Sequence, residues 1–142
     1  MRALLVFALA LLAAPALAGP PATVRSLDQA PVRVAPHGKA RVQALAQGNN
    51  AWIGRLTMDA GAKVPLHRDP TEEYVFVIAG SGQVTIDGKT SPVAPGTTIF
   101  MPVNAEVTFQ NGDDPMTVIQ VFAGPGPAAK YDAWQPETKP AP

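Results

Sequence analysis

The chain has 142 residues, with eleven basic and eleven acidic side chains and no cysteine, a size that makes one domain. The absence of cysteine excludes thiol chemistry and disulfide staples, so stability rests on packing. No basic run or stripe exists, which leaves a nucleic-acid or anionic-membrane partner without electrostatic support.

Met1–Arg2 supplies a positive start, Ala3 to Ala14 an apolar run, and Ala16-Leu17-Ala18 a small-x-small cleavage site. In that order the three regions read as a secretory signal peptide over residues 1–18, with Gly19 as the new N-terminus. An uncleaved anchor is the competing reading, but the run is shorter than the roughly 20 apolar residues a span needs. The expected location is secreted or periplasmic, with no membrane contact after cleavage.

Residues 19–39 carry Pro20, Pro21, Pro31 and Pro36. They read as an extended N-terminal arm with one short strand around Val32–Val34, which proline confines to an edge. Over residues 40–123 strand follows strand. The segment 41–47 ends in Gly48-Asn49-Asn50, and 51–58 places Trp52, Gly54, Leu56 and Met58 on one face. Asp59-Ala60-Gly61 turns the chain into Lys63–His67. Segment 74–79 is wholly apolar, and Gly80-Ser81-Gly82 leads into 83–87. Asp87-Gly88 is a strong hairpin signal between two strand-like runs. Strands over 97–101, 106–110 and 116–122 complete the series, and no window between 41 and 122 carries a long helical period. Short strands with turn signals at this spacing predict an all-β sandwich or barrel.

Segment 74–79 offers Tyr74, Phe76 and Ile78 to one side and Val75 and Val77 to the other. A strand with one wet face should alternate apolar and polar. One face can line a barrel interior, while the other needs a second layer, the N-terminal arm or a partner subunit. Residues 124–142 are rich in proline and alanine and read as a loosely held tail, in which Tyr131 and Trp134 could dock a short turn onto the barrel.

His67 and Asp69 are two apart and project from one face of an extended chain. Glu73 opens the apolar strand, on the face of Val75 and Val77. A carboxylate beside an apolar interior requires a partner, because burying an unpaired charge is costly. A metal could supply that partner, and one imidazole with two carboxylates suits manganese or iron(II) better than zinc. The same residues also fit an exposed polar loop in which Arg68 pairs with Asp69, Glu72 or Glu73. His37, in Pro36-His37-Gly38, fits a surface role. Glu106 points away from its neighbour Val107. Asn104 fits either a ligand contact near the mouth or a turn needing positive φ. No Gly-x-Ser-x-Gly elbow or phosphate-cradling loop is present.

The spacing Gly61-x5-His67-x-Asp69-x3-Glu73-x6-Gly80, followed by Gly96-x5-Pro102-x-Asn104-x2-Val107-x3-Asn111, resembles the two signatures of the cupin superfamily. The resemblance covers roughly residues 40–122. It implies a single double-stranded β-helix, or jelly-roll, barrel. It also shows departures: Asp69 stands where the family has a second histidine, Asn104 at a glycine position, and Val107 at the remaining metal-binding histidine. The metal set is thereby reduced from four ligands to His67, Asp69 and Glu73 at most. The expected function is an exported small-molecule-binding barrel with a weak or absent divalent-metal site. Val107 and Phe109 join Val75 and Val77 as walls, and His67, Asp69, Glu73 and Asn104 contact the ligand. The alternatives are a metal-dependent enzyme of oxygenase, isomerase or lyase type, and a structural or partner-binding domain. The resemblance also implies a homodimer covering Tyr74, Phe76 and Ile78.

Overall fold

The computed structural model describes residues 19–138, so the expected signal peptide lies outside the described residues. Eleven strands are formed: β1 Val32–Val34, β2 Ala40–Gln47, β3 Trp52–Met58, β4 Lys63–His67, β5 Glu73–Ala79, β6 Gly82–Ile86, β7 Lys89–Val93, β8 Thr98–Met101, β9 Val107–Asn111, β10 Met116–Phe122 and β11 Gln135–Pro136. The fold turns on Asp87-Gly88. Both residues have positive φ (47° and 79°), the geometry of a two-residue turn whose twist matches the flanking strands. From that point the chain pairs back on itself: β6 with β7, β5 with β8, β4 with β9 and β3 with β10, all antiparallel. This nested pairing is a jelly roll.

The strands form two sheets, in the orders β11-β1-β2-β3-β10-β5-β8 and β4-β9-β6-β7. They pack face to face without closing into one hydrogen-bonded barrel. Val75, Val77, Met116 and Val118 from the larger sheet meet Val84, Val93 and Val107 from the smaller. Alternation explains the layering. Along β10, Met116, Val118, Gln120 and Phe122 are buried while the residues between them are half-buried. Each large apolar side chain taken fully from water stabilises the fold by roughly 1.5–3 kcal/mol.

Two expectations about the ends require correction. β1 is not an edge strand, because β11 pairs with its outer side through Arg33↔Pro136 and Val34↔Gln135. The tail is not loose over residues 126–136. It forms a 3-10 helix, Gly126–Ala133, before β11. Tyr131 and Trp134 do dock it. Tyr131 is buried in a second cluster with Val42, Trp52, Phe122 and Ala128, and Trp134 packs at its border. The Trp52 and Tyr131 rings lie 5.5 Å apart, and Tyr131 meets Trp134 edge-on at 4.8 Å.

Among the described residues the apolar face of β5 remains bare. Tyr74, Phe76, Ile78 and Phe100 are 41–49% exposed. The N-terminal arm pairs at the opposite end of the sheet, through β1 on β2, and gives this face no cover.

Candidate functional site

His67 ends β4, Asp69 lies in the loop that follows, and Glu73 opens β5. The loop is held by backbone bonds: the Asn104 amide donates to the Asp69 carbonyl at 2.8 Å, and the Arg68 guanidinium donates to the Asn104 carbonyl at 2.6 Å. Asn104 itself adopts φ 60°. It is a turn residue, as one of its two expected roles required, and it is not among the residues that line the cavity described below. Arg68 pairs with Glu106 at 2.7 Å, not with Asp69, Glu72 or Glu73. Glu106 precedes β9, its carboxylate on Arg68, whereas the neighbouring Val107 is buried. His37 is exposed, its Nδ1 accepting from the Lys39 amide at 3.0 Å, although it is among the residues that line the cavity described below.

His67, Asp69 and Glu73 do converge. One potential ligand atom from each lies within 4.8 Å of the others, and His67 Nε2 is 3.7 Å from Asp69 Oδ2. These three form a cluster that could hold a metal ion. The polar loop reading is therefore only half right: the cluster faces inward, with Asp69 14% exposed and Glu73 5% exposed.

The cluster lines a cavity of about 330 Å³ between the sheets. Val75, Val77, Val107, Phe109, Met116 and Val118 supply apolar wall, so Val107 and Phe109 take the positions expected of them. Register explains why Glu73 reaches the cavity. It pairs with Phe122 across β10 and with Met101 across β8, on the buried face that also carries Val75 and Val77.

Three residues of the site went unforeseen. Gln120 is a buried amide in the inward row of β10. Its Nε2 donates to Glu73 Oε1, and its Oε1 accepts from the Tyr131 hydroxyl at 2.7 Å. A glutamine at an inward position among Met116, Val118 and Phe122 is itself a sequence signal. Tyr131 was foreseen as an anchor for the tail but not as a polar partner of the site. The third residue is Lys130, on the tail helix. Its Nζ lies 3.0 Å from Asp69 Oδ2 and 3.4 Å from Oδ1, and 4.8 Å from the centre of the Phe122 ring.

Electrostatics follow from this packing. Burial pushes the Glu73 carboxyl above its ordinary value of 4.5; the Gln120 bond, Lys130 and His67 pull it down, and Asp69 adds to the rise. Burial likewise pushes the Tyr131 phenol up, so it stays a neutral donor. The metal test turns on Lys130. The donor geometry is present, but an ammonium already rests on Asp69 and an amide on Glu73, and position 107 offers no ligand. A divalent ion about 4 Å from an ammonium is repelled by about 8 kcal/mol at an effective dielectric of 20, reduced by water at the 38%-exposed lysine. With Lys130 in this position the residues do not fit a bound divalent ion.

Residues 54–122 match the model of the cupin domain family. The chain belongs to the cupin superfamily. This cupin is 26% identical over 99 residues to an uncharacterised protein of Streptomyces coelicolor, covering 70% of this chain and 93% of that one. It is 31% identical over 75 residues to a mannose-1-phosphate guanylyltransferase of Klebsiella pneumoniae, across 51% of this chain but only 16% of the enzyme's length. Among solved structures, an RmlC-like cupin from Shewanella frigidimarina superposes with a TM-score of 0.67 at 17% identity, covering 73% of this cupin and 92% of that chain. At that identity the likeness is one of fold, and the fold hosts many functions.

Proposed function

We propose that this cupin is an exported small-molecule-binding protein whose ligand lies between the two sheets. The observation that carries the reading is the 330 Å³ cavity, walled mostly by apolar side chains, with His67, Asp69 and Glu73 clustered on its lining. That is the general plan of small-molecule sites, apolar walls with sparse orienting groups. His67, Asp69 and Glu73 orient a hydrogen-bonding end of the ligand, while Val75, Val77, Val107 and Phe109 hold its body. Export to a secreted or periplasmic location rests on residues 1–18. A second copy of the chain covers Tyr74, Phe76, Ile78 and Phe100, which lie on the two strands at the open end of the larger sheet.

Titration with an environment-sensitive apolar fluorophore, followed by competition with small acids, sugars and aromatics, tests the cavity. Saturable binding in the wild type, lost when Val107→Phe fills the space without unfolding the protein, is expected. Equal binding by both proteins refutes the reading. A metal-dependent enzyme is the second reading, favoured by the convergence of His67, Asp69 and Glu73. A stoichiometric metal retained through dialysis against a chelator would put it first.

A further inference from the structure

We infer that Lys130 is the resident cation of the His67–Asp69–Glu73 cluster, a tethered ammonium that excludes a divalent ion from this chain. The inference rests on the reading of the cavity mouth as a corner that orients a ligand instead of holding a metal. Its carrier is a residue that lies outside both signature motifs.

The cluster presents acceptors: an imidazole nitrogen and two carboxylates. Such a set inside a protein requires positive charge or protons. Lys130 brings a full charge to it from 61 residues away in sequence, with both Asp69 oxygens within reach of one ammonium. The backbone that carries it is anchored. The residue after it, Tyr131, is buried at 7% exposure among Trp52, Phe122 and Trp134, and its hydroxyl is bonded to Gln120. The ammonium of Lys130 itself lies over the Phe122 ring, 4.8 Å from its centre, an attractive position for a cation. The tail helix thus fixes the ammonium on Asp69 through its neighbour.

The position of Val107 agrees with this. It pairs with His67 across β4 and β9 and presents an apolar wall where a further ligand would be needed. Gln120 closes the remaining side by donating to Glu73. Each acceptor of the cluster that faces the tail or β10 therefore has a protein donor, and the exclusion of a metal is a property of the tail as much as of the motifs. Removing only the charge should open the cluster to an ion.

The experiment uses the whole chain and Mn²⁺ alone, with paramagnetic resonance of free Mn²⁺ and thermal unfolding as readouts. The wild type is expected to take up no ion. Lys130→Met should bind one Mn²⁺ per chain at least about tenfold more tightly, since repulsion between the ammonium and the doubly charged ion has been removed, and His67→Ala in that background should abolish the binding. Lys130→Arg keeps the charge and should stay blind to the ion. Lys130→Met binding no more tightly than the wild type would overturn the inference. Should the methionine variant not fold, Lys130→Gln takes its place. The wild type alone also decides: broadening of its His67 and Val107 resonances by substoichiometric Mn²⁺ overturns the inference. That result would leave the cavity to be judged by its own fluorophore titration, so the two failures are distinct.

Discussion

Tyr131→Phe removes one oxygen and isolates one consequence. The Tyr131 hydroxyl donates to Gln120 Oε1, and Gln120 Nε2 donates to Glu73. All three residues are 5–7% exposed. Without the hydroxyl, Gln120 Oε1 is left buried without its donor. Flipping the amide gives no relief, because it turns the carbonyl oxygen toward the Glu73 carboxylate. A hydrogen bond between neutral groups contributes about 0.5–1.5 kcal/mol net, and a stranded buried partner raises the cost to about 1–3 kcal/mol. The ring packing against Trp52 and Trp134 is unchanged, so no cavity cost is added. Urea unfolding measures the effect. With a slope near 2 kcal/mol/M, the midpoint should fall by about 0.5–1.5 M at unchanged slope. In a Gln120→Met background the same substitution should cost much less, as a double-mutant cycle would show. A midpoint equal to that of the wild type, or the same loss in both backgrounds, would refute the three-residue chain.

Glu73→Gln should flatten the pH dependence of stability. Burial raises the folded-state pKa of Glu73 above 4.5, so its contribution is fully present below 4.5 and is lost as pH rises through the folded value. An unchanged slope in denaturation series from pH 4 upward would contradict this. Gly54→Ala should destabilise by about 1–3 kcal/mol, because its Cβ would stand 2.0 Å from the Trp52 ring, which folds over the glycine. Unaltered tryptophan fluorescence together with an unaltered unfolding midpoint would count against that packing. Light scattering should give twice the chain mass for the wild type and a monomer for Phe76→Asp, whereas a monomeric wild type at high micromolar concentration would leave the bare β5 face without its second copy.

The fold was legible because its determinants are local. Alternation marked β3, Asp87-Gly88 marked the central hairpin, and the two-residue spacing of His67 and Asp69 put both on one face. The doubly apolar strand pointed to a face in need of cover, and among the described residues that face stands 41–49% exposed. What escaped was non-local. Arg68 had three acidic neighbours in sequence, yet the fold delivers Glu106 from the end of the loop that leads into β9. Asn104 was ambiguous between two roles that residue type alone does not separate, and backbone φ decided for the turn. Lys130 lies in a proline- and alanine-rich stretch with no pattern around it, and its meaning appears only when the tail helix docks through Tyr131. Gln120 is the intermediate case: its inward place in β10 was readable, while its partners across the site were not.

The central claim is that the space between the sheets holds a small molecule. Methyl-labelled NMR against a library of small acids, sugars and aromatics tests it most directly, because Val75, Val77, Val107, Met116 and Val118 surround that space. The account predicts binders that shift these methyls together and saturably, while those of Ile78 on the outer face stay still. Shifts confined to the outer face, or no response of the inner methyls to any compound, would contradict it.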